Sequence, residues 1–134
     1  MASVVEGLGA VTVHVTDLEA ARRFYRDVLG LEEAGFSTAT SRAVYRIPGS
    51  SAGFVAHVMR PDEGGRPPGG ASGIVFYHHD PRAAVEEVRR RGGQVTLDPV
   101  EVPGPTGTIV RAAVADPDGN EFLLSTGHGG PPRA

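Results

Sequence analysis

The chain writes one structural sentence twice, and that repetition restricts its fold more than any other feature. From Val11 to Gly30, VTVHVTDLEAARRFYRDVLG, apolar and polar residues first alternate and then fall into a helical period. Val11, Val13 and Val15 alternate with Thr12, His14 and Thr16, the period-two signature of a strand with one buried face. Asp17 follows as an N-cap whose carboxylate can accept from the open amides of a first helical turn. Leu18, Ala21, Phe24, Val28 and Leu29 recur at three- and four-residue steps, one stripe of an amphipathic helix that Gly30 can end in the left-handed region. Ile74 to Gly93, IVFYHHDPRAAVEEVRRRGG, repeats the pattern 63 positions on, with Asp80 for Asp17 and Gly93 for Gly30. Pro81 takes the first helical position, where its missing amide costs nothing. A second echo, offset by 66, runs GFVAHVM from Gly53 and GNEFLLS from Gly119. Two copies of a strand, a helix and further strands make an internal duplication.

Composition bounds the function classes. A chain of 134 residues is one domain, or two half-size modules sharing a core. A net charge of -3 offers no basic stripe, so nucleic acid is not an expected partner. The absence of cysteine removes disulfides, thiolate nucleophiles and sulfur-ligated metals together, and fits a cytoplasmic protein. The absence of lysine removes Schiff-base chemistry through that side chain. No apolar run reaches the length of a membrane span, and MASVVEGLG has neither the basic start nor the apolar stretch of a signal peptide.

The elements follow in order. A first βαβββ module covers residues 8–60: the opening strand and helix, then strands over 31–38, 42–47 and 53–59. Residues 61–71 are rich in proline and glycine and read as a linker. A second βαβββ module covers 72–126, with a short strand over 94–97, a long turn over 102–107 and closing strands over 108–115 and 121–126 joined by DPDGN from Asp116. Residues 127–134 are a flexible tail. The fold is α+β, with curved mixed sheets around a concave pocket. If each helix covers one sheet face, alternation puts Ala10, Thr12, His14, His57 and Met59 on the opposite face of the first module. Val75, Tyr77, Glu121 and Leu123 take that face in the second.

HVTDLEAARRFYRDVLGLE in the first half and ADPDGNEFLLS near the end resemble the vicinal oxygen chelate superfamily, home of glyoxalase I, the bleomycin-resistance proteins and the extradiol dioxygenases. The resemblance implies paired βαβββ modules, a homodimer and a small-molecule cavity. Its enzymes hold a divalent metal on four positions. Carried over, the first-strand ligand falls on Ala10, its counterpart in the second module on Gly73, and the closing carboxylate on Leu123, with His57 at the equivalent place in the first module. A divalent ion needs several converging nitrogen and oxygen donors, so this set predicts no metal and no other cofactor.

The leading expectation is a metal-free protein binding a hydrophobic or aromatic metabolite, as the resemblance to drug-sequestering members implies. The ligand-binding candidates are Ala10, Thr12, His14, His57, Met59, Val75, Tyr77, Glu121 and Leu123. The alternative is a glyoxalase-like lyase, isomerase or dioxygenase. It would use a shifted metal on His14, His57 and Glu121, or His57 and Glu121 as catalytic proton-transfer groups without metal. A third possibility is a partner-binding protein with a vestigial pocket. His78 and His79 abut the helix cap and read as solvated or capping residues.

Overall fold

A computed structural model describes residues 2–59, 63–65 and 67–127. Strand β1 (Ala10–Val15) leads into helix α1 (Leu18–Arg22), which continues as a π-helical turn over Arg23–Val28, and then into β2 (Glu32–Ser37), β3 (Arg42–Arg46) and β4 (Gly53–Val58). Strand β5 (Gly70–Tyr77), helix α2 (Pro81–Arg90), β6 (Gln94–Gly104), β7 (Gly107–Ala115) and β8 (Asn120–Ser125) repeat that order. Each set of four strands makes its own mixed sheet, ordered β1-β4-β3-β2 and β5-β8-β7-β6, with the first pair parallel and the others antiparallel. The architecture is α+β, two four-stranded mixed sheets with two short helices. The expected tail beyond Gly127, and residues 60–62 and 66 around the linker, lie outside the described residues.

The caps act as their chemistry requires. Asp17 accepts from the amides of Glu19 and Ala20, and Asp80 from that of Ala83, each satisfying donors that a helix start leaves open. Gly30 closes the first helix at a φ of 76°, which a side chain would strain. The stripe predicted for that helix gains a member, because its second half widens. Leu29 N–H donates to the Phe24 carbonyl and Leu31 N–H to that of Tyr25, and the wide turn brings both Phe24 and Tyr25 into the core.

The helix-side faces of the two sheets share one core. Tyr25 touches Phe54 of the first sheet and Phe122 of the second at ring-centre distances of 5.1 and 5.9 Å, and Phe54 and Phe122 are 5.8 Å apart. Such aromatic pairs contribute about 0.5–1.5 kcal/mol each beyond their burial. The helices also abut closely at their ends. A methyl group on Gly93 would lie 2.7 Å from Val28 Cγ1 and 2.8 Å from Val88 Cγ1, so only a bare backbone fits there.

Two expectations are corrected. The short strand over 94–97 and the turn from 102 are one long strand, β6, reaching Gly104. Pro99 and Pro103 are tolerated because β6 is an edge strand bonded to β7 alone, with register shifts at 95–97 and 97–100. The offset between the closing strands is also different. Val13 pairs with Ala56 and its counterpart Phe76 with Leu124, so β4 and β8 correspond at 68 positions (124 minus 56) rather than 66. Gly53 lies within a strand opposite Ala10 whereas Gly119 sits in a turn at a φ of 80°, so the two glycines are not equivalent.

Candidate functional site

The duplication makes the two ends of the shared core comparable. At one end the β7–β8 turn, DPDGN, meets β1. Asp116 is buried, and its Oδ2 accepts from the Tyr25 hydroxyl at 2.5 Å and from Asn120 Nδ2 at 2.8 Å. Its Oδ1 takes the amides of Asp118 and Asn120. Asn120 Nδ2 also donates to the His14 carbonyl at 2.8 Å, and Asp118 accepts from the Thr16 amide and hydroxyl at 3.0 and 2.6 Å. Burial, with the neighbouring Asp116 charge second, holds the Tyr25 phenol far above the ordinary tyrosine range. A small pocket of about 70 Å³ beside Asn120 is lined by Thr12, Val13, His14, Pro67 and Ser72.

At the other end the corresponding turn, Ile47 to Ala52, meets β5, and among the described residues nothing equivalent closes it. It carries no carboxylate, and the position answering to Tyr25 is Val88. A cavity of about 730 Å³ opens there, between Val11, Leu31 and Phe54 of the first module and Ile74, Phe76 and Leu124 of the second. Ser50, Tyr77 and His78 are its polar side chains among the described residues, and none of its walls is an acid or an arginine. His78 Nδ1 accepts from the Asp80 amide at 2.9 Å, the local capping role expected of it.

The structure distributes the sequence-derived candidates over three places. Val75 and Tyr77 border the large cavity. Thr12 and His14 line the small one with Asn120. Ala10, His57, Glu121 and Leu123 are on the sheet faces turned away from the shared core, by their register opposite Gly53, His14, Ala115 and Ala113 respectively. Met59 follows β4 and accepts the Gly65 amide on its sulfur at 3.1 Å. The cavity walls Val11, Phe54, Ile74, Phe76 and Leu124 were missed because alternation assigned them to the core. They are core residues, but at an end where the core is incomplete.

His57 is 4% exposed and tethered at both ring nitrogens: Nδ1 donates to the Ser41 carbonyl at 3.2 Å, and Nε2 lies 2.7 Å from Glu63 Oε2. Its ring stands 5.7 Å from that of His14. The carboxylate beside these histidines is thus Glu63 rather than Glu121, which belongs to the other sheet. Neither His57 nor Glu121 borders the large cavity.

Residues 7–124 match the family model of the Glyoxalase/Bleomycin resistance protein/Dioxygenase superfamily. The chain belongs to that superfamily. Virulence protein STM3117 of Salmonella typhimurium is 25% identical over 122 residues, covering 91% of this chain and 85% of that protein. A superfamily member from Sphaerobacter thermophilus has a solved structure with a TM-score of 0.76 at 28% identity, over 92% of this chain and 98% of that one. TnmS3, an antibiotic binding protein from Streptomyces sp. CB03234, shares the fold with a TM-score of 0.76 at 23% identity, over 92% and 97% of the two chains.

The metal positions implied by the superfamily resemblance do not fit a metal in this member. The strand register replaces His57 by Val55 as the counterpart of Leu123, because Val55 pairs with Thr12 as Leu123 pairs with Val75. The four positions are then Ala10, Val55, Gly73 and Leu123, none of which has a side-chain donor. Among the described residues no three of His, Cys, Asp and Glu are grouped so as to hold an ion.

Proposed function

We propose that this superfamily member is a metal-independent binding protein for a hydrophobic or aromatic small molecule. The observation that carries this reading is the cavity of about 730 Å³ whose walls are apolar at the end where the duplication leaves the core open. Ligand pockets of this size, largely hydrophobic with a few polar groups, suit small organic molecules. Burying a flat apolar ligand there completes the core in the way that Tyr25 and the DPDGN turn complete it at the opposite end. Antibiotics are a class of candidate ligand, since TnmS3 with the same fold is an antibiotic binding protein.

Titration with the neutral fluorescent probe N-phenyl-1-naphthylamine tests the reading. Saturable binding of one probe per chain is expected, weakened about tenfold, or by about 1.4 kcal/mol, when Ile74→Trp fills the wall of a protein that still melts cooperatively. Elemental analysis of protein purified without chelator is expected to give no stoichiometric transition ion. A bound ion held by three or more side chains, or a probe that never saturates, overturns the reading.

A further inference from the structure

One core-facing place holds a valine in the first module and a histidine in the second. Alternation along β5 turns Ile74, Phe76 and then His78 toward the shared core, and all three border the large cavity. The strand pairing reaches that far, since the His78 amide donates to the Ser125 carbonyl at 3.0 Å. The repeat that matches Phe76 with Val13 matches His78 with Val15, which is 2% exposed at the closed end. At the open end an imidazole stands where its copy is sealed hydrocarbon.

The proton on that ring has an assigned place. His78 Nδ1 accepts from the Asp80 amide at 2.9 Å, and a nitrogen that accepts carries no hydrogen, so the neutral ring bears its proton on Nε2. Stacking on His79, with ring centres 4.7 Å apart and planes 16° apart, holds the ring in that orientation. Nε2 has no hydrogen-bond partner among the described residues. The cavity border thus offers one oriented donor whose acceptor the described chain does not supply.

We propose, on the reading of this cavity as a ligand site, that the ligand is a flat apolar molecule whose polar group is a neutral carbonyl, and that His78 Nε2–H donates to its oxygen. The walls select a carbonyl over the other common groups. A carboxylate would surrender its water with no cation to replace it, because no arginine borders the cavity among the described residues and the chain has no lysine. An ammonium would meet no acid there. A group that only donates finds no acceptor on His78, whose Nδ1 is already engaged. A carbonyl brings an acceptor and no donor of its own to satisfy. Since capping and stacking fix the ring before the ligand arrives, little ordering opposes the bond.

The test uses the whole chain labelled with nitrogen-15, at about pH 8, where an ordinary histidine is neutral. Long-range nitrogen-proton correlation should show His78 protonated at Nε2 and bare at Nδ1, and the Nε2 signal should move on addition of 2-acetonaphthone. By amide chemical-shift titration, 2-acetonaphthone is expected to bind about tenfold more tightly than 2-ethylnaphthalene, which has nearly the same shape without the oxygen. The anion 2-naphthoate should bind the cavity more weakly than the ketone. His78→Phe should make ketone and hydrocarbon equal by weakening the ketone alone. A proton on Nδ1, equal affinity of the two neutral probes, naphthoate binding the cavity as tightly as the ketone, or a preference that survives His78→Phe would each overturn the proposal. The tautomer and the probe comparison are read on the unmodified protein, so they decide even if the His78 variant does not fold. If neither neutral naphthalene shifts the residues around Ile74 and Leu31, the cavity reading falls as well, whereas equal binding of the two removes this inference alone.

Discussion

The two ends of the shared core began as copies of one arrangement and now do opposite things. Where the DPDGN turn meets β1, a carboxylate, an amide and a phenol lock the modules. Where the IPGSSA turn meets β5, the same scaffold is left open by about 730 Å³. The strands, their order and their parallel pairing are alike at both ends. What differs is a handful of side chains, chiefly Tyr25 against Val88 and Asp116 against the apolar start of the other turn. A duplicated fold can thus close one copy of a junction and leave the other open.

Breaking the closed end should cost most. Asp116→Ala strands the Tyr25 hydroxyl and two backbone amides and removes one of the bonds of Asn120 Nδ2, and each buried donor left unmet costs about 1–3 kcal/mol. The urea midpoint of this variant should fall by an amount equivalent to at least about 3 kcal/mol. The same measurement on Ile74→Ala, at the open end, should move the midpoint less. Equal losses would mean that the two junctions contribute alike and that the asymmetry is cosmetic.

Alkaline pH gives a smaller effect at the same place. Burial raises the Tyr45 phenol to about 12 and drives that of Tyr25 higher still, with the Asp116 charge adding to the second shift. Unfolded tyrosines ionise near about pH 10, so the stability tied to these protons is complete below that pH and is lost as pH rises above it. Chemical denaturation between pH 9 and 11 should show this decline, and Tyr25→Phe should make it shallower. A slope unchanged by that substitution would detach Tyr25 from the titration. The weakest contribution is the exposed pair of bonds that Thr16 donates to Asp118, for which Asp118→Ala should cost less than about 1 kcal/mol in the same denaturation experiment.

The scaffold was legible because its signals are local. Asp17 and Asp80 announce two helix starts, Gly30 a stop, and the Val13 and Val15 alternation a buried face, all from near neighbours in sequence. Strand β6 was under-read because Pro99 and Pro103 are breakers in a central strand but not at an edge, and edge position is a tertiary fact. Anchoring the repeat on Gly53 and Gly119 misplaced the closing strand by two residues. Since two is even, every side chain kept its face, and His57 was put on the right side of the sheet but opposite the wrong counterpart, Leu123 instead of Ser125. The open cavity had no local signature at all. It follows from contacts that one end makes and the other lacks, across separations such as the 91 residues between Tyr25 and Asp116.

That separation also bears on how the protein is born. The carboxylate that receives the Tyr25 hydroxyl is synthesised 91 residues after Tyr25 itself. Until that segment is made the first half displays an unfinished greasy surface, and β8, carrying Phe122, is the strand that seals it. Chains interrupted before Asp116 should be clients of chaperones or proteases rather than half-sized working proteins.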